Sequence, residues 1–464
     1  MALRAGSHGR TWPSVALVVL DIVGLVGCLN AALRYKVNEW ATLDYWPLLG
    51  AIAILVMSFY VMNLYAIGEE GPRWRIAART AIAIFAAGVI TVGVVYTAGA
   101  SRLEAEPLFW RSVYPIGLLG FAVWAAGCRV AIERLARSKE RRRRWLVVGG
   151  GERLTQFVED FSASGIDGSL HLLSSDETLH AAGIDSRRVQ RLGGLSGLEK
   201  VLEQPWTEVV TSAVPALPET VLEPLMHARL RGAVVLDVVD FYEYYFLRVP
   251  IFHLADGWFV HTEGFQLIHH DIALNLKRFI DLLLAVGILL VAAPVMLAAA
   301  LAVKLDSQGP VLYRQRRVGQ GGRAIVISKF RTMFTDAETQ GAKWASRNDP
   351  RVTRVGRWLR LTRIDELPQL WNVLRGEMSC IGPRPERPEF TQQLEKSIPY
   401  YELRNLVPPG ITGWAQVMHP YGASEEDARR KLEYDLYYIK NYSLVLDLMI
   451  ALKTIRVVLF GRGQ

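Results

Sequence analysis

The sequence predicts a membrane protein in three parts. These are an α-helical four-span bundle over residues 1–140, a cytoplasmic Rossmann-like α/β domain over 141–262, and an α+β domain over 263–464 with a re-entrant membrane helix at 278–304. Three observations predict it. The 464 residues are 51% hydrophobic, with four long apolar runs before residue 140. After Arg144 the chain alternates short apolar strands with helical stretches, the pattern of a parallel sheet. The last part carries a 22-residue apolar run, Leu282–Val303, broken by Pro294.

The four runs are about Val15–Leu33, Trp46–Ile67, Ile76–Ala98 and Val113–Ile132. At ~1.5 Å per residue each can cross ~30 Å of hydrocarbon. Trp12, Trp46, Trp74 and Trp110 lie near their ends, as interfacial belts require. No small-residue cleavage site follows the first run, which reads as a retained span. Basic residues orient the bundle. Arg4, Arg10, Arg73, Arg75, Arg79, Arg129, Arg134, Arg137, Lys139 and Arg141 to Arg144 flank one side, against Arg34, Lys36, Arg102 and Arg111 on the other. Thirteen against four puts the N-terminus and everything after Arg144 in the cytoplasm.

The net charge of +8 sits beside these spans, so anionic lipid rather than nucleic acid accounts for it. Cys28, Cys128 and Cys380 have neither zinc-site nor disulfide spacing. Asp21 and Asn30, inside the first span, read either as functional polar groups or as packing partners of a neighbouring span.

In the middle domain, Trp145–Val148 reads as a buried strand entering a Gly149-Gly150-Gly151 turn, with a helix from Glu152. Ser169–Leu173, Glu208–Val214 and Ala233–Val239 are further strands. The turn departs from GxGxxG and no ribose-binding acid follows the second strand, so the expected role is structural or regulatory. Phe241–His270 reads as a linker.

Leu282–Val303 is long enough to span a bilayer. Pro294 removes the hydrogen bond to the Leu290 carbonyl and leaves two half-length arms. Lys277 and Arg278 precede the run, and Lys304, Arg314, Arg316 and Arg317 follow it. Basic flanks on both sides suit a helix that returns to its own face. Val311–Gln315 and Ala324–Lys329 then alternate as a hairpin around Gly319–Gly322, and Lys329 and Arg331 share one strand face, which reads equally as a grip for a diphosphate or as a solvated face. Arg351, Arg354, Arg357, Arg360 and Arg363 recur every three residues and wrap around a helix. Most of them suit lipid headgroups, and only Arg360 or Arg363 is placed to approach the carboxylates that follow.

Those carboxylates are Asp365 and Glu366, in Arg363-Ile364-Asp365-Glu366-Leu367-Pro368-Gln369-Leu370-Trp371-Asn372. They precede Pro368 at the mouth of a helix expected from Gln369 to Arg375, stopped by Gly376. There Asp365 reads as an N-cap, a nucleophile or a Mg²⁺ ligand. Pro383-Arg384-Pro385 reads either as an ordinary rigid loop or as a pre-positioned guanidinium fork suited to phosphate or the uracil edge. Pro408–Gln416 is a second constrained loop. Glu433–Asn441 and Leu444–Val458 read as helices on the membrane, with Asp435 and Asp447 as surface acids by default or, alternatively, as members of the active site.

Lys329–Met333, Asp365–Asn372 and Gly382–Glu386, in this order, resemble the bacterial polyprenyl-phosphate hexose-1-phosphate transferases, from about Asn275 to the C-terminus. The preceding chain resembles the large, multi-span form. The family's membrane helix is re-entrant, and its kink often carries Ser-Pro where this chain has Ala293-Pro294. The resemblance implies transfer of a hexose-1-phosphate from a UDP-hexose to undecaprenyl phosphate at the cytoplasmic face of the bacterial inner membrane, with glucose preferred over galactose. This is the initiating step of exopolysaccharide or O-antigen synthesis. It implies Asp365 as covalent nucleophile, Glu366 as metal ligand or acid/base, and Mg²⁺ held by Asp365 and Glu366. Lys329, Arg331, Arg363, Arg384, Pro383 and Pro385 would bind substrate, and a homodimer is compatible with the accessory domain. A ternary-complex transferase with Asp365 only as a Mg²⁺ ligand, and a non-catalytic nucleotide-sensing membrane protein, stay open on the residues alone.

Overall fold

A computed structural model describes residues 8–38, 40, 46–62, 64–65, 73–97, 113–140, 143–174, 188–212, 219–254, 257–265, 271–335, 337, 349–419 and 424–459. Arg4, Arg102, Trp110, Arg111, Arg141 and Arg142 of the charge and aromatic pattern lie outside these.

Helices α1 (His8–Val37), α2 (Trp46–Val61), α3 (Arg73–Thr97) and α4 (Val113–Glu140) coincide with the four apolar runs. Among the described residues, Ser14–Val37, Val113–Ile132 and Ile272–Asp306 are long and apolar enough to cross a membrane, while Leu48–Val61 and Arg79–Val94 are shorter apolar helices. Leu25 and Leu29 of α1, Phe59 of α2, Ala83 and Ala87 of α3 and Phe121 of α4 share one core. Asp21 is buried there, its carboxylate bridging both Arg129 nitrogens at 2.9 and 2.7 Å, with the guanidinium 4.4 Å from the Phe59 ring centre. Asp21 of α1 is thus a packing partner of α4.

The middle domain is a five-stranded sheet in the order β3-β2-β1-β4-β5. Its strands are β1 (Arg144–Gly149), β2 (Ser169–Leu173), β3 (Val189–Gly193), β4 (Glu208–Ser212) and β5 (Val235–Asp237). The β1–β2, β1–β4 and β2–β3 pairs are parallel, which is doubly wound topology. Helix α5 (Glu152–Ala163) follows β1, and α6 (Glu219–Leu230) precedes β5.

The chain divides into compact units near Leu236 and Asp237. Residues after Asp237 therefore pack with the C-terminal domain, although the sequence reading drew its boundary at 262. Buried Arg248 bonds Glu433 at 2.9 Å, and the Trp414 indole donates to the Leu247 carbonyl at 2.9 Å. The linker is part of the domain it leads to.

In that unit, α7 (Asp271–Asp306) is one helix containing Pro294. One side of its midsection is exposed, Leu290 by 73% and Val291 by 81%, while Leu289 packs against the core of the unit. Both of its ends are tied to the same unit. Lys277 bonds Asp447 at 2.7 Å, and Arg278 donates to the Val373 and Leu374 carbonyls. At the far end, Ala299 and Val303 pack on Phe330 and Leu359. β6 (Leu312–Val318) and β7 (Ala324–Phe330) form the expected antiparallel hairpin. Helix α8 (Arg354–Leu361) follows, capped by the Thr353 hydroxyl, which accepts from the Gly356 amide. α9 (Leu370–Arg375) ends at Gly376, where φ is 83°. β8 (Ser379–Ile381) pairs in parallel with β9 (Gly410–Thr412). Helices α10 (Pro388–Ser397), α11 (Glu425–Lys440) and α12 (Leu444–Leu459) complete the unit.

Helix α11 was expected on the membrane, but Leu432, Leu436, Tyr438 and Ile439 bury it in the core. Its aromatic residues face protein because α12, α7 and β8 supply an apolar cluster around them. Val445, Leu448 and Met449 of α12 remain exposed, so that helix keeps the apolar outer face expected of it.

Candidate active site

Asp365 and Glu366 lie in a 3₁₀ turn, Ile364–Gln369, immediately before α9. Arg363 enters the turn in the left-handed region with φ 58°, and Pro368 lies inside the turn, one residue before its end. Neither carboxylate caps the turn or α9. The capping reading therefore fails here, because the positions sit inside the turn and not before it. Both residues are buried, each 7% exposed.

The adjacent acids live in different fields. Glu366 Oε1 accepts from Lys329 at 3.1 Å and from Arg384 at 2.7 Å, with Arg363 at 3.7 Å. Burial pushes Glu366 up, but Arg384, Lys329 and Arg363 outweigh it and hold the carboxyl well below the usual range. Asp365 Oδ1 is buried with no hydrogen-bond partner among the described residues. Burial, reinforced by the charge of Glu366, raises Asp365 to about 6 against the pull of Lys329, Arg363 and Arg360. Burial also lowers Lys329 to about 8, although Glu366 favours its charged form. One acid is a saturated counter-ion. Its neighbour is ionised near neutrality and uncommitted.

Arg384 reaches Glu366 from a loop with little freedom. Pro383 and Pro385 are buried, and three successive carbonyls are held. The Gly410 amide donates to the Pro383 carbonyl at 2.8 Å, Arg404 to that of Arg384 at 3.1 Å, and Arg317 to that of Pro385 at 3.1 Å. The loop also needs glycine beside it. A Cβ on Gly382 would lie 2.4 Å from the Pro408 carbonyl oxygen, and one on Gly413 would lie 2.2 Å from the Gly382 oxygen. The Pro408–Gln416 loop is thus the backing of the Pro-Arg-Pro loop.

The structure gathers Lys329, Arg363, Asp365, Glu366 and Arg384, with Pro383 and Pro385 acting through the backbone. It leaves Arg331 elsewhere. β7 ends at Phe330, so Arg331 does not continue the face of Lys329. Instead it donates to the Ser307 carbonyl at 2.7 Å and the Ser307 hydroxyl at 2.9 Å, just past the C-terminus of α7. Arg360 bonds the Thr332 hydroxyl. Leu359 and Gly356 form the buried side of α8, whereas Trp358 is exposed. Asp435 and Asp447 are not surface acids. Asp435 bonds Arg404 at 2.8 Å, and Asp447 bonds Lys277 and the Tyr438 hydroxyl. Arg317 and Arg404 were missed as supports, and Asp435 was named but read by default as a surface acid.

Mg²⁺ is usually held by one or two carboxylates together with substrate phosphates. Asp365 Oδ1, a buried acceptor without a partner, fits one such ligand position. Glu366 fits less well through Oε1, where three cations already gather.

Residues 272–461 match the family described as bacterial sugar transferase. Over 216 residues the chain is 53% identical to the UDP-N-acetylgalactosamine-undecaprenyl-phosphate N-acetylgalactosaminephosphotransferase of Aeromonas hydrophila, covering 47% of this chain and 50% of that protein. It is 46% identical over 182 residues to the UDP-glucose:undecaprenyl-phosphate glucose-1-phosphate transferase of Escherichia coli K12, covering 39% of each. It is 43% identical over 188 residues to the exopolysaccharide production protein PSS of Rhizobium leguminosarum bv. phaseoli, covering 39% of this chain and 94% of that protein. The match thus spans half or less of the two larger relatives and nearly all of the smaller one.

Proposed function

Because the chain belongs to the bacterial sugar transferase family, we propose that it transfers a sugar-1-phosphate from a UDP-sugar to undecaprenyl phosphate, releasing UMP. The observation that carries the reading is the split between the paired acids. Glu366 is saturated by Lys329, Arg384 and Arg363, while Asp365 Oδ1 is buried and unpartnered. A carboxylate near 6 is roughly nine-tenths ionised at pH 7, so the nucleophilic form is in hand.

Asp365 attacks the phosphorus that bears the sugar. An Asp–O–P bond forms, the bond to the bridging oxygen breaks, and UMP leaves with the electron pair. An oxygen of undecaprenyl phosphate then attacks the same phosphorus, giving undecaprenyl-diphospho-sugar and restoring the carboxylate. Arg384, Lys329 and Arg363 hold the phosphates in place and keep Glu366 ionised beside Asp365. Mg²⁺, bound through Asp365 with Glu366 nearby, would supply charge neutralisation of the diphosphate. The relatives are named for N-acetylgalactosamine and for glucose, so the donor sugar is read only as a UDP-hexose or UDP-N-acetylhexosamine.

The four apolar helices are read as spans and α7 as re-entrant, with the N-terminus and C-terminal domain cytoplasmic. The anchoring of Lys277, Arg278 and Val303 to one compact unit supports this, because a spanning helix would carry its two ends to opposite faces. UMP release from a panel of UDP-sugars, with and without undecaprenyl phosphate, tests the proposal. Release from at least one donor is expected, and none from any would refute it.

A further inference from the structure

Behind Arg384 lies a buried ion pair that the transfer chemistry does not touch. Arg404, on the Tyr401–Leu406 turn, donates to Asp435 Oδ2 at 2.8 Å, to the Tyr401 hydroxyl at 2.6 Å and to the Arg384 carbonyl at 3.1 Å. Arg404 is 6% exposed and Asp435 1%. As a stability device such a pair is weak, since desolvation cancels most of its attraction. Its placement serves another purpose. The prolines on either side restrict the backbone around Arg384 to a range of angles, within which the plane of the Arg384 peptide is still to be set. Arg404 fixes that plane by holding the carbonyl, and Asp435, reaching in from α11, fixes Arg404. Glu386 stands 3.8 Å from both Arg404 and Arg317, so the arm that holds the Pro385 carbonyl is joined to the same cluster.

We propose that Arg404 and Asp435 are positioning residues, whose pairing aims the Arg384 guanidinium at Glu366 and the donor's phosphates. The kinetic part of this rests on the transferase reading. A lysine at 404 keeps the charge but lacks the planar fork needed to hold a carbonyl, a carboxylate and a hydroxyl together. Asn at 435 keeps the shape and removes the charge.

The test is a double-mutant cycle on the full chain, reading UMP release, with Arg404→Lys, Arg384→Gln and the double variant. Arg404→Lys should lower kcat/KM for the UDP-sugar roughly 10²-fold when Arg384 is present, the scale set by an ångström of misplacement. In the Arg384→Gln background it should cost under about threefold, because the residue it positions is gone. Equal losses in both backgrounds would mean a merely structural pair and overturn the proposal. Asp435→Asn, run through the same cycle, stands in should Arg404→Lys not fold. A second readout is independent of catalysis. Modification of Arg384 by phenylglyoxal, followed by peptide mass spectrometry, should quicken in Arg404→Lys while that of Arg363 is unchanged. An unaltered Arg384 rate would also overturn the proposal. Failure of the wild-type chain to release UMP would sink the transferase reading but leave this labelling result to decide the positioning.

Discussion

The turn at Gly149–Gly151 and the carboxylate turn at Ile364–Gln369 both lead into a helix, yet they are built for different ends. Gly151 has φ 82° and α5 begins at Glu152, an acid in its first turn, with no side-chain cap. The first helical turn there offers backbone amides, but its own acid opposes an anion. At Ile364–Gln369, cations arrive from three other places: Lys329 from β7, Arg384 from the Pro-Arg-Pro loop and Arg363 from the residue before. The difference teaches that a glycine turn supplies only backbone geometry, whereas a reactive pair needs long-range neighbours that separate two like acids. On the proposed function, the chemistry resides in the C-terminal unit.

The comparison breaks most directly at Asp365. Asp365→Asn should lower turnover by about 10⁴-fold or more, the scale of a lost nucleophile. Thermal stability should hold or rise slightly, since Oδ1 has no partner to lose and a like charge beside Glu366 disappears. Near-normal turnover in that variant would return the site to an ordinary ion cluster.

Lys329→Met should reduce kcat/KM roughly 10²- to 10³-fold, the effect of removing one preorganised charge contact. The wild-type pH profile sharpens the same point. Below about 6, Asp365 takes up its proton and kcat/KM should fall tenfold per unit. Above about 8, Lys329 loses its proton and the rate should fall again. Lys329→Arg should move the alkaline limb out of range and leave the acid limb where it was.

Pro294→Leu should restore the Leu290 bond and create an unbroken apolar helix of roughly 33 Å. Activity should drop several-fold as part of the population spans. Single cysteines near Lys277 and Ser307, in a chain without the native cysteines, check this with an impermeant thiol reagent in intact cells. Both should be silent in the Pro294 form, and the Ser307 site should become labelled in the leucine form.

The smallest effect belongs to the sheet domain. A fragment beginning at Asp237 should keep UMP release to within about threefold, as expected of a module that contributes no catalytic contact. A fragment beginning near His270 should be destabilised by about 3 kcal/mol, because it strips Arg248 from buried Glu433. Thermal midpoints in one lipid mimic separate the two.

Much of this was legible in the residues. The hairpin, the paired acids, the Gly376 stop and the Pro-Arg-Pro loop are local patterns, and each was found where spacing put it. The β3 strand was not, because Val189–Gly193 is an edge strand with Gln190, Arg191 and Leu192 exposed and no apolar alternation to mark it. Arg331 was misjudged because strand alternation holds only while the strand lasts, and β7 ends one residue earlier. Arg404 and Asp435 could not be found from spacing, since their meaning depends on a contact between a turn and a helix 31 residues apart.

The most direct test of the covalent account is a single turnover of the purified chain with UDP-sugar and no lipid acceptor. The account predicts up to one UMP per chain and a phosphosugar mass on the peptide containing Asp365, discharged by adding undecaprenyl phosphate. UMP released only after lipid is added, with the Asp365 peptide unmodified throughout, would contradict it and favour direct transfer between bound substrates.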